Sequence, residues 1–132
     1  MRIVVTAINA KDATTVLVTF ESSAGVGCAR WRSPSILPRV GQTYDVEFDV
    51  DIVADTASNT SVIPRGVPSI SLDGDRVLLR ALVVGVDEDG LAYFRLSEDS
   101  ITMVSTAGEI VEGNLVEMVV AIDDMSMTPI GV

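Results

Sequence analysis

Apolar and polar residues alternate with a period of two along much of the chain. Tyr44, Val46, Phe48 and Val50 fall on one side of such a run, and Asp45, Glu47, Asp49 and Asp51 on the other. That is the pattern of a half-buried β-strand. Similar runs, rich in Val, Ile and Thr, predict strands at 2–9, 14–22, 25–32, 43–52, 59–65, 76–87, 91–97, 100–105, 115–123 and 125–131. No long stretch sustains a 3.6-residue period. Single helical turns are allowed at 34–39 and 106–112, the first limited by Pro34 and Pro38. Asp73-Gly74 and Asp89-Gly90 are turn signals, and the small polar run 53–61 reads as a loop.

Two stretches of the pattern match each other. Val40-Gly41-Gln42-Thr43-Tyr44-Asp45-Val46-Glu47-Phe48-Asp49-Val50-Asp51 parallels Glu112-Gly113-Asn114-Leu115-Val116-Glu117-Met118-Val119-Val120-Ala121-Ile122-Asp123. Val62-Ile63-Pro64-Arg65-Gly66 parallels Met127-Thr128-Pro129-Ile130-Gly131, and Val4 to Phe20 pairs loosely with Leu82 to Leu96. The chain therefore divides into two related units, 1–66 and 67–132. Each is near the lower size limit for independent folding, so the two are expected to share one compact body.

Each unit runs long strand, hairpin, strand, strand, irregular connection, glycine, strand, final strand. This is the order of an OB-fold, a five-stranded Greek-key barrel. The expected fold is all-β, with two tandem OB-like units in one body; a single β-sandwich is the alternative. The second unit resembles the ribosomal-protein-type RNA-binding OB domain. The residues that carry the likeness are Ala81 to Phe94, with Asp89-Gly90 in the turn, and Val111 to Asp123, led by Gly113 and ending in Ile122-Asp123. The resemblance implies the barrel shape, with Tyr93 or Phe94 as the aromatic of strand two. The glycine- and His-containing motif that follows strand three in that family is absent, and Ser100-Ile101-Thr102-Met103-Val104-Ser105 stands there instead.

Composition narrows the chemistry. Among 132 residues there are 9 basic and 19 acidic side chains, no His and one Cys, for a net charge of -10. Without His there is no imidazole base and no His-ligated metal, and one Cys closes no intrachain disulfide. No catalytic motif or phosphate loop stands out, so the chain reads as a non-enzyme without a cofactor, reduced and cytoplasmic. The charge opposes phosphate backbones and anionic membranes. It is also uneven. Residues 1–66 hold six basic and seven acidic residues, net -1, whereas residues 67–132 hold three and twelve, net -9.

Two sets of side chains are candidates for binding. Asp45, Glu47, Asp49 and Asp51, with Glu117, Asp123 and Asp124, form an acidic docking surface for a basic protein partner. Carboxylates along a strand sit about 6.6 Å apart and diverge, which is poor geometry for calcium. They also protect an edge from pairing. The second set is Arg30, Trp31, Arg32 and Arg39, the most basic segment and the one holding the only Trp. On an OB-type face these suit a single nucleic-acid strand. Alternation separates Trp31 from Arg30 and Arg32, so the bland reading is a core Trp and arginines that answer the acidic row. Strands 76–86 and 115–122 are apolar on both faces and need cover, from the other unit or from a second copy in a homo-oligomer. The expected function is thus a binding protein with an acidic β-surface; single-stranded nucleic-acid binding is the alternative.

Overall fold

A computed structural model describes residues 1–130. Its twelve strands are β1 (Arg2–Ala10), β2 (Val16–Ser22), β3 (Gly25–Trp31), β4 (Thr43–Val50), β5 (Ala54–Asp55), β6 (Thr60–Ile63), β7 (Ser69–Asp73), β8 (Arg76–Val86), β9 (Leu91–Ser97), β10 (Ser100–Ala107), β11 (Leu115–Ala121) and β12 (Met125–Pro129). A short 3-10 turn, Ile122–Asp124, separates the last two.

Five strands close a barrel. β1 pairs antiparallel with β2 and with β4, and β2 with β3. β12 closes the gap: it runs antiparallel to β4 over five residues and parallel to β3 at Ser126 and Met127. This mixed five-stranded barrel is consistent with an OB-like fold. Period-two alternation fills it. Ile3 and Val5, Val18 and Phe20, Val46 and Phe48, and Met125 and Met127 are all buried. The rings of Phe20 and Phe48 meet 5.3 Å apart at its centre.

Seven strands, β5 to β11, pack outside the barrel. β8 is the spine, with β11 along one side. Its other side is shared, β7 pairing with Arg76–Arg80 and β9 with the stretch from Leu82 to Val86. β10 continues from β9, and β3 meets β7 through one parallel pair, Gly25 with Ile70. Gly25 is required there, because a Cβ would stand 2.0 Å from the Ile70 carbonyl oxygen.

One barrel closes where the sequence suggested two, and its fifth strand comes from the second half of the chain. The segment 81–123, which carried the family likeness, supplies β9, β10, β11 and most of β8, outside the closed barrel. The sandwich alternative does not form either, since β12 closes β1 to β4 into a barrel. Several local expectations change too. β5 lies in the stretch read as a loop, β7 was not anticipated, and the 3-10 turn takes the last two residues of the strand expected at 115–123 and the gap after it. No helical turn forms at 34–39 or 106–112. Gly131, the last position of the matched sequence ends, lies outside the described residues.

The two halves nevertheless share local geometry. β1 has a register shift between Val5 and Ala7, and β8 one between Val83 and Gly85. Gly41 N–H donates to the Val5 carbonyl, Val5 N–H to Gln42, and Gln42 N–H to Arg39. Gly113, Val83, Asn114 and Val111 repeat the same three bonds. Both glycines have positive φ, 84° and 92°.

Candidate functional site

The acidic strand β4 lies on the barrel surface with Asp45, Glu47, Asp49 and Asp51 all exposed. Its two ends are answered by cations. Arg2 Nε lies 3.3 Å from Asp45 Oδ1, and Arg30 Nη2 lies 2.6 Å from Asp51 Oδ2. Glu47 and Asp49 form no ion pair among the described residues. The Arg30 side chain crosses β12 to reach Asp51, because Ser126 is the register partner of both Arg30 and Asp49. Arg30 Nε and Ser126 Oγ are both buried without a hydrogen-bond partner.

After β4 and after β11 the chain crosses from one half to the other. These two crossover segments, 51–53 and 122–124, run side by side, with Asp51 N–H donating to the Asp124 carbonyl at 2.8 Å. Ile122 N–H donates to the Asp75 carbonyl at 3.1 Å, which adds the acidic β7–β8 turn. Five aspartates, Asp51, Asp73, Asp75, Asp123 and Asp124, therefore lie on the segments that meet at the crossover, with Arg76 the register partner of both Asp73 and Ala121. Lys11, from the β1–β2 turn, answers Asp123 at 2.5 Å, and the 3-10 turn packs against β3. Among the described residues, no three acidic or Cys side chains are placed to hold a metal ion.

The expected acidic set is thus split. Asp51, Asp123 and Asp124 converge, and Asp49 lies next to them on β4. Asp45 and Glu47 lie farther along the strand. Glu117 belongs elsewhere: on β11 it faces its register partner Arg80, with Arg80 Nε 2.9 Å from Oε2. Asp73 and Asp75 were missed, since an Asp-Gly-Asp turn signals only a hairpin until topology places it beside the 3-10 turn.

The basic segment is also divided. Arg30 is committed to Asp51. Trp31 is half-buried, donates Nε1–H to the Ile36 carbonyl at 2.7 Å, and meets Tyr44 edge-on at 5.0 Å. Tyr44 Oη accepts from Arg39 N–H and donates to the Leu37 carbonyl. The two rings pin the loop 32–42 and are not free stacking platforms. Arg32 and Arg39 are exposed and form no ion pair among the described residues.

A shallow cleft of about 610 Å³ opens elsewhere, where β7 begins and β9 ends along β8. Ala24, Pro68 and Leu96 line it with Ser23, Arg95 and Asp99. The Ser97 hydroxyl, 2.6 Å from Asp99 Oδ1, holds that carboxyl below its ordinary value. Asp12, in the β1–β2 turn, is likewise lowered, chiefly by the Thr14 backbone N–H. Burial pushes the Cys28 thiol up, with a smaller opposing effect from Thr19.

No protein-family model matches the chain, and no curated protein or solved structure was found to be similar to it.

Proposed function

We propose that the protein is a non-catalytic binding module that presents the acidic crossover to a basic protein partner. The observation that carries this reading is that Asp51, Asp73, Asp75, Asp123 and Asp124 lie on the segments that meet at the crossover, where Asp51 and Asp124 are bonded. Only Lys11 and Arg30 answer that group by ion pairs among the described residues. A fixed cluster of one sign raises the encounter rate with an oppositely charged surface. Rigidity helps as well, because backbone bonds hold Asp51, Asp75 and Asp124 in place before any partner arrives. On OB-type barrels, ligands usually meet the face of strands two and three and the adjacent loops. Here the cation on β3, Arg30, is bound to Asp51, and the sole Trp holds a loop. That arrangement favours a basic protein over a nucleic-acid strand.

The test is a pull-down from extract of the native host with the wild-type chain and with a variant carrying Asp73→Asn, Asp75→Asn and Asp123→Asn. The expected result is one or more basic proteins retained by the wild type at low salt, released at high salt, and lost with the variant. Retention of the same proteins by the variant, or of none by either, overturns the proposal. Single-stranded RNA titrated against Trp31 fluorescence at low salt gives the opposing outcome: saturable quenching would favour nucleic acid.

A further inference from the structure

The strands that leave each half take equivalent places in the other. From the first half, the segment 54–63 reaches the second, where β5 runs parallel to β10 and β6 runs antiparallel to β11. From the second half, β12 reaches the first, parallel to β3 and antiparallel to β4. In both cases the incoming segment joins the last two strands before a crossover, pairing parallel with the earlier one and antiparallel with the later one. The crossovers lie against each other at Asp51 and Asp124. The matched register shifts and the repeated bonds at Gly41 and Gly113 show that the receiving frameworks are alike.

We propose that the two halves are a strand-exchanged pair, and that the slot between β3 and β4 also accepts β12 from a second copy of this chain. The occupant is defined by the slot itself. Met125 and Met127 enter the barrel interior opposite Val50 and Phe48, and Ser126 and Pro129 are also buried. A second copy offers the identical strand, so the contacts made in one chain and between two chains are the same. What separates the two arrangements is the connection between the halves. It runs through residues 64–68, of which Pro64, Arg65, Gly66 and Val67 are exposed. A short flexible connection gives an effective concentration on the order of millimolar, which sets where exchange between chains begins to compete. Such exchange of identical elements is a general route to dimers.

The experiment uses two full-length chains in a Cys28→Ser background, one carrying Asp49→Cys and the other Ser126→Cys. These positions are register partners on β4 and β12. The chains are unfolded together, refolded at micromolar or millimolar concentration, and oxidised. A disulfide between them forms when β12 of one chain lies beside β4 of the other. Thr14→Cys in place of Asp49→Cys controls for random collision. The expected result is a covalent heterodimer in about a tenth or more of the chains at millimolar concentration, and none above the control at micromolar. Deleting Gly66 and Val67 from both chains is expected to bring the micromolar yield above the control, because the halves then reach each other less easily within one chain. A yield no greater than the control at both concentrations with the unaltered connection overturns the proposal, whether or not the shortened chain folds.

Discussion

The two halves of the chain begin with matching strands and end in different structures. In the first, the incoming segment is Met125-Ser126-Met127-Thr128-Pro129, an uninterrupted strand that sends both methionines into the core. It bonds to both neighbours and the barrel closes. In the second, the incoming segment is broken. Two residues, Ala54–Asp55, pair with β10; a turn follows; then Thr60–Ile63 pair with β11. Asp55 and Asn59 fix that turn. The Asn59 side chain accepts from Asp55 N–H and donates to the Val53 carbonyl, and the Asp55 carboxylate accepts from Ala57 N–H. Gly108 admits it, since a Cβ there would stand 1.9 Å from Thr56 Oγ1. Closure therefore depends on the incoming residues more than on the framework that receives them. A strand with alternating bulky side chains seals a barrel, while a run of small polar residues satisfies its own backbone and stays at the rim.

The largest expected contrast is between those two segments. Met127→Ala leaves a cavity beside Phe48 and is expected to cost about 2–5 kcal/mol in urea unfolding. Val62→Ala, at a site 48% exposed on β6, is expected to change stability by no more than about 0.5 kcal/mol. Similar losses at both sites would show that closure is not what distinguishes the halves.

Next come the matched glycines. Gly41 and Gly113 have positive φ and open space where a Cβ would stand. Ala at either one should cost about 1–2 kcal/mol through backbone strain alone, and the two losses should agree. A clear inequality would mean that one half carries more of the global stability.

A smaller effect of opposite sign is expected at Ser126. Its buried hydroxyl lacks a partner, so Ser126→Ala should raise stability by about 0.5–1 kcal/mol. Destabilisation by the same amount would reveal a hydrogen bond to Ser126.

The smallest effect concerns pH. The Cys28 thiol is raised by burial, so the neutral form is favoured in the folded state. Its contribution is full below the ordinary thiol value and is lost as pH rises through the raised folded one. Cys28→Ala should flatten the alkaline arm of a stability–pH curve while leaving the acid arm unchanged.

Much of the fold was legible in the sequence because alternation records which side of a strand is wet. The β4 pattern foretold both the core residues Val46 and Phe48 and the exposed acids between them. The repeated Gly41 and Gly113 foretold equivalent turns. Pairing partners were less accessible. Nothing within Met125 to Pro129 states that its neighbours are β3 and β4, since any edge of the right length would satisfy its period. The same limit applies to the acidic surface. Asp51 and Asp123 were found as parts of a matched motif, but their closeness arises from the crossover. Asp73 and Asp75 joined them through a backbone bond that no local pattern encodes. Arg30 answering Asp51 was legible as charge balance. The loop-pinning role of Trp31 was not, because its acceptor is a backbone carbonyl.

Closure by β12 also imposes an order on synthesis. The four strands that precede it in the barrel are complete when Val50 emerges, yet their sealing strand begins about 75 residues later. At roughly 5–20 residues per second, the apolar lining around Phe20 and Phe48 waits several seconds without its cover. A nascent chain in that interval offers two unpaired strand edges, the condition under which neighbouring chains on one message can mispair. The acids along β4, beside one of those edges, supply mutual repulsion between such chains before the native strand arrives.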